Sequence, residues 1–181
     1  SDAYDYSYGT HGTPTTFTLG DNIAQIEGGD YCLLAPSGLS AINLVNACFL
    51  AQGDEVWVAD NIYGPNMEHL RNLETRYGIN VKIYNPIEVD SFQPSAQAKL
   101  IWLEAAGSVT LEFPDLVALV NKAKQANVLT ALDNTWGAGL AFNAFDFSDE
   151  HLSVDITVHA LTKYPSGGGD ILMGSVVTRD Q

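Results

Sequence analysis

An α/β fold, a mainly parallel sheet of seven strands covered by helices, is predicted by three features of the 181-residue sequence. Apolar runs of strand length alternate with segments whose apolar residues recur at helical spacing. No internal repeat, low-complexity tract or linker interrupts the series, so one domain is expected. The composition, 46% hydrophobic and 17% charged, supplies enough apolar surface for a packed core and argues against disorder.

The elements can be justified in chain order. Thr13-Pro14 opens a helix, a capping hydroxyl followed by proline at the first helical position, and Gly28-Gly29 stops it. Strand-like runs follow at Tyr31–Ala35, Val56–Ala59, Val81–Tyr84, Leu100–Leu103, Val128–Leu132, Asp155–His159 and Ile171–Thr178. Between them Leu39–Leu50, Met67–Tyr77 and Leu116–Ala126 carry apolar residues at helical spacing. Cys32 falls in the first strand and Cys48 on the apolar face of a helix, so both are expected as small core residues rather than a disulfide. His11, His69, His151 and His159 are scattered, and neither they nor the cysteines have metal-ligand spacing; no metal site is expected.

Eight Lys and Arg against 22 Asp and Glu give a net charge of −14. A surface of that sign repels phosphate backbones and anionic headgroups, which argues against nucleic-acid or membrane-surface binding. No apolar stretch is long enough to span a bilayer, and Ser1–Gly12 is too polar for a signal peptide. A cytoplasmic address is the expectation.

In such sheets ligands lie beyond the carboxyl ends of the strands. Four of these ends carry unusual polar residues: Pro36-Ser37-Gly38, Asp60–Asn66, Asp133-Asn134-Thr135-Trp136 and Leu161–Asp170. Of the five lysines, Lys82 and Lys99 open strands, and Lys122 and Lys124 lie on the polar side of a helix. Lys163 differs, because it follows an apolar strand and precedes the flexible Tyr164-Pro165-Ser166-Gly167-Gly168-Gly169. A lysine held near the interior loses part of its charge preference and becomes a nucleophile toward an aldehyde, although an exposed loop lysine would look the same in sequence. Asp133 ends a buried strand, where an unpaired charge needs either a cationic partner or a capping role in the next segment. Ser37, Gly38 and Leu39 open a helix and so gather free amides and the positive end of its dipole, an anion site or simply a cap. Tyr63 could stack on a flat ring or pass a proton, or could merely pack.

The order and spacing of several segments join these features. They are Tyr8-Gly9-Thr10-His11-Gly12-Thr13-Pro14-Thr15, Ile26-Glu27-Gly28-Gly29, Pro36-Ser37-Gly38, Gly53-Asp54, Tyr63-Gly64-Pro65, Glu104-Ala105-Ala106-Gly107-Ser108, Asp133-Asn134-Thr135-Trp136 and Thr162-Lys163-Tyr164. In them the chain resembles the Cys/Met-metabolism family of fold-type I pyridoxal-5′-phosphate (PLP) enzymes, most of all its cystathionine β-lyases.

The resemblance implies that residues 1–181 are the PLP-binding large domain, with 1–15 an inter-subunit arm. It implies that Lys163 carries PLP covalently and later shuttles the Cα proton of an amino-acid substrate. Asp133 would pair with the pyridine nitrogen, and Tyr63 would stack on the ring and assist proton transfer at the leaving group. The Gly38 and Leu39 amides beside Ser37, with the Thr162 hydroxyl, would bind the phosphate. Tyr8 would reach the phosphate of a neighbouring subunit in a homo-oligomer, a dimer of dimers with active sites at subunit interfaces. The implied reaction is α,β-elimination from a small sulfur-containing amino acid, L-cystathionine, to homocysteine, pyruvate and ammonia. A γ-lyase, γ-synthase or methionine γ-lyase activity, or an inactive PLP-binding domain, are the alternatives. A nucleotide-binding domain using Gly167-Gly168-Gly169 is disfavoured, since G-x-G-x-x-G after the first strand is missing.

The chain departs from the family pattern in four ways. Thr10 stands where the family has an arginine, Ala160 where it has a serine that reaches the phosphate, and Gly167-Gly168 where it has Gly-His. The matched region is also less than half of a family subunit and lacks its C-terminal domain, so this chain alone is expected to turn over poorly.

Overall fold

The structure, a computed structural model, describes residues 8–147 and 152–180. Seven strands form one sheet: β1 (Tyr31–Ala35), β2 (Glu55–Ala59), β3 (Asn80–Tyr84), β4 (Ala98–Glu104), β5 (Leu129–Asp133), β6 (Ile156–His159) and β7 (Gly174–Thr178). Their order across the sheet is β1-β7-β6-β5-β4-β2-β3. All neighbours run parallel except β7, which is antiparallel to both β1 and β6. Parallel strands must be covered on both faces, and the residues show it. All five positions of β2 are buried, and Leu100, Ile101, Trp102 and Leu103 of β4 have no exposed surface.

The covering helices are α1 (Pro14–Glu27), α2 (Gly38–Phe49), α3 (Gly64–Tyr77) and α4 (Leu116–Gln125). Thr13 closes a capping box with Thr16 at the start of α1, and Gly28, at φ 85°, ends it in the left-handed region that glycine tolerates. Ser37 and Asp115 cap α2 and α4 through their side chains, and Lys122 and Lys124 sit in the last turn of α4, where the dipole favours cations. Among the described residues no helix is long and apolar enough to cross a membrane.

Three expectations need correction. Helix α3 begins at Gly64 rather than near Met67, because Pro65 sits in its first turn, where its missing N–H costs nothing. Ile171–Met173 is not strand: Met173 spends its amide on the Thr162 hydroxyl and its carbonyl on the Thr162 amide, so β7 starts only at Gly174. Cys48 is exposed, not core, and Cys32 is half-buried on edge strand β1. Burial, then the nearby carboxylates of Glu27 and Asp21, push the Cys32 thiol up to about 12, which leaves it unreactive. Of the inter-subunit arm, residues 1–7 lie outside the described residues.

Candidate active site

The carboxyl ends of β4, β5 and β6 and the N-terminus of α2 enclose a cavity of about 930 Å³, large enough for a cofactor-sized ligand. Ser37, Gly38, Leu39, Tyr63, Asp133, Thr162 and Lys163 all line it. Tyr8 does not; its ring is exposed and stands edge-on to His11 outside the cavity.

On one side the start of α2 presents its amides. The Ser37 side chain takes the Ser40 amide at 3.0 Å, and the Ser37 carbonyl takes the Ala41 amide. The Gly38 and Leu39 amides belong to the first turn, which has no intrahelical acceptor. Backbone crowding enforces the glycines here. A Cβ on Gly38 would stand 2.6 Å from the Ala160 Cβ, and one on Gly174 would collide with the Ser37 carbonyl. Gly38→Ala is therefore expected to push α2 off β6, weakening PLP binding at least about tenfold, read as a shift in apparent Kd. The Thr162 hydroxyl bonds the Met173 backbone at 3.2 and 3.1 Å, so a phosphate oxygen would replace the Met173 carbonyl as its acceptor.

Asp133, the last residue of β5, is half-buried and opens on the cavity. Its Oδ1 accepts the Thr135 amide at 3.1 Å and the Thr135 hydroxyl at 2.6 Å, while the Ala160 amide donates to that same hydroxyl oxygen. One oxygen thus serves the local turn, which leaves Oδ2 for a ligand. Burial pushes the Asp133 carboxyl above its ordinary range, against the hydrogen bonds from Thr135. A cation placed against it would relieve that cost.

Behind Asp133 lies a buried polar trio that sequence reading missed. Glu27 at the end of α1 takes His159 Nδ1 at 2.9 Å and Asn134 Nδ2 at 2.7 Å, with all three residues at most 2% exposed. His159 draws the Asp133 carboxyl down and Glu27 pushes it up. Glu27→Ala would strand two buried donors and is expected to destabilise the fold by about 3–5 kcal/mol, measurable by urea unfolding. The only hint in sequence was a Glu immediately before Gly28-Gly29.

Lys163 lies in the turn after β6, its amide bonded to the Ala160 carbonyl at 2.9 Å. It is exposed at the cavity wall, as a loop lysine would be, rather than held in the interior. Gly167, Gly168 and Gly169, which follow it, also line the wall. Tyr63, at the N-cap of α3, is half-buried, and its amide donates to Glu104 Oε1 at 3.0 Å. Trp136 and Tyr164 approach at 6.5 Å near the cavity mouth.

This arrangement fits pyridoxal phosphate. A helix N-terminus with a glycine cradle suits a phosphate, a carboxylate that lacks a cation suits a pyridinium, and a lysine lines the same space. Lys163 is the one cation lining the cavity among the described residues; Ala160 brings no hydroxyl, and Thr10 no charge, to the phosphate.

Comparison with known proteins agrees. The family model described as Cys/Met metabolism PLP-dependent enzyme matches residues 1–181. A cystathionine beta-lyase of Bordetella avium is 36% identical over 175 residues, covering 97% of this chain and 43% of the relative. An L-alanine/L-glutamate racemase of Wolbachia pipientis is 33% identical over 179 residues, covering 99% and 43%. The crystal structure of cystathionine gamma synthase from Xanthomonas oryzae superposes with a TM-score of 0.86 at 27% identity, covering 99% of this chain and 46% of that one. The chain therefore spans less than half the length of the relatives it matches.

Proposed function

We propose that this chain, which belongs to the Cys/Met-metabolism family of PLP-dependent enzymes, forms the cofactor-binding part of a carbon–sulfur β-lyase that cleaves L-cystathionine. One observation carries the reading: a single cavity is lined by the Lys163 amine, the Asp133 carboxylate and the open start of α2. The β-lyase choice is supported by the relatives that bear that name and by the Asp133-Asn134-Thr135-Trp136 segment.

When bound, PLP supplies an aldehyde for covalent capture of an amine and a cationic ring that stores the electron pair left at Cα. Lys163 would anchor the cofactor, and its freed Nζ would be the base that takes the Cα proton of the substrate. Asp133 keeps the ring nitrogen protonated through the oxygen that Thr135 leaves open. The Gly38 and Leu39 amides and the Thr162 hydroxyl hold the phosphate, with Ser37 fixing the helix start. Tyr63, on the cavity wall, would stack on the ring and would assist proton transfer to the departing thiolate, with water needed to release pyruvate and ammonia. Tyr8, exposed and outside this cavity, would serve the phosphate of a neighbouring copy in a homo-oligomer.

The test is product analysis with the full-length protein and PLP. L-cystathionine is expected to give homocysteine and pyruvate in equal amounts. Cysteine with 2-oxobutanoate would move the assignment to a γ-lyase. Racemisation of L-alanine without pyruvate would favour the activity for which the Wolbachia relative is named.

A further inference from the structure

Glu104, the last residue of β4, has no part in the roles above. Its Cα is the ladder partner of Asp133 on β5, so both side chains leave on the same face of the sheet, and both line the cavity. Glu104 is 6% exposed. Oε1 accepts the Tyr63 amide at 3.0 Å, whereas Oε2 is buried and has no hydrogen-bond partner. A carboxylate with one oxygen cut off from water and without a donor in hydrogen-bonding geometry, the nearby Ser108 amide being turned to the Asn61 carbonyl at 3.3 Å, is costly; a carboxylic acid bearing its proton on that oxygen is not.

The surroundings agree. Asp133 faces Glu104 from β5, and two carboxylates side by side cannot both ionise cheaply. The Tyr84 phenol, on β3, also senses Glu104, but its hydroxyl already donates to the Trp102 carbonyl at 2.9 Å. From α3 only the Tyr63 amide reaches it, the Ser108 amide approaches from the loop after β4, and Lys163 lines the same cavity from the turn after β6. Burial first, and the Asp133 charge second, push the Glu104 carboxyl up to about 8.

We propose that Glu104 is a proton-holding member of the ring site: in the ligand-free pocket it shares one negative charge with Asp133, and it releases its proton to solvent when a cationic ring is brought against the pair. The Oε2–H bond breaks, and the added anion compensates the ring's cation. The ring's identity rests on the function proposed above; the protonation of Glu104 does not.

Two measurements on the full-length protein separate the parts. In the cofactor-stripped protein with carboxyl-labelled glutamate, infrared spectra are expected to show an un-ionised acid band at about pH 6.5 that fades by about pH 9.5 and is missing from Glu104→Gln. Asp133→Asn should move the fading to lower pH. Absence of the band, or its persistence in Glu104→Gln, overturns the proposal. For the release step, the ratio of PLP affinities, wild type over Glu104→Gln, is expected to rise about tenfold from about pH 6 to 9, because a carboxyl whose proton affinity falls by one unit on binding gains that factor. A flat ratio overturns the release. If neither protein takes up PLP at any pH, the cofactor reading fails instead, and the infrared band still decides the charge of Glu104.

Discussion

Replacing Lys163 by alanine is expected to leave PLP reversibly bound at most, with no cofactor retained after borohydride reduction and kcat lowered about 10³-fold or more. The wild-type protein should show the yellow absorbance of lysine-bound PLP and yield one modified peptide, the one containing Lys163. The other lysines give the experiment its contrast. Lys122 is committed to the Val89 carbonyl at 3.1 Å and to Asp90, and none of Lys82, Lys99, Lys122 or Lys124 lines the cavity. A label on any of them would remove Lys163 from the mechanism. Because Lys163 is exposed, its loss should not disturb folding, so melting of the ligand-free variant should match the wild type within a few degrees.

Asp133→Asn is expected to separate stability from function. In the ligand-free protein burial already pushes this carboxyl upward, and an amide oxygen can still accept from Thr135. The sign follows from linkage. A carboxyl whose folded value is raised contributes stability below its unfolded value, and this is lost as pH rises toward the folded value. Removing the charge should therefore leave stability at neutral pH unchanged or improved. An amide cannot hold a cationic ring nitrogen, so kcat/KM should fall about 10²–10³-fold. A variant that melts well below the wild type, or one that keeps its kcat/KM, would show that Asp133 serves only the local turn.

Both substitutions act where β5 and β6 end side by side, and the value of that place was only partly visible in the residues. Asp133 and Lys163 could be singled out because each follows an apolar run, and strand ends in a parallel sheet are where ligands gather, whereas Thr162 was named only through the family resemblance. Glu104 also ends an apolar run and opens one of the family segments, yet no role could be read for it, because its distinction is to stand next to Asp133 in the sheet. Glu27 and His159 are 132 residues apart and meet in the interior. No spacing rule reaches that far.

Taken alone, the sequence determined what depends on neighbours within a few residues: the alternation that gives an α/β sheet, the Thr13-Pro14 start and Gly28 stop of α1, the Ser37 cap and the family motifs. These signals come from backbone preferences and side-chain period, which act locally. The tertiary structure decided what depends on strand order and depth. It set β7 antiparallel between β1 and β6, released Ile171–Met173 from the sheet, and exposed Cys48 and Lys163. It also buried the carboxyls of Glu27 and Glu104 around Asp133. Burial and proximity across strands exist only once the chain has packed, and they, rather than residue type, fix the charge a carboxyl carries.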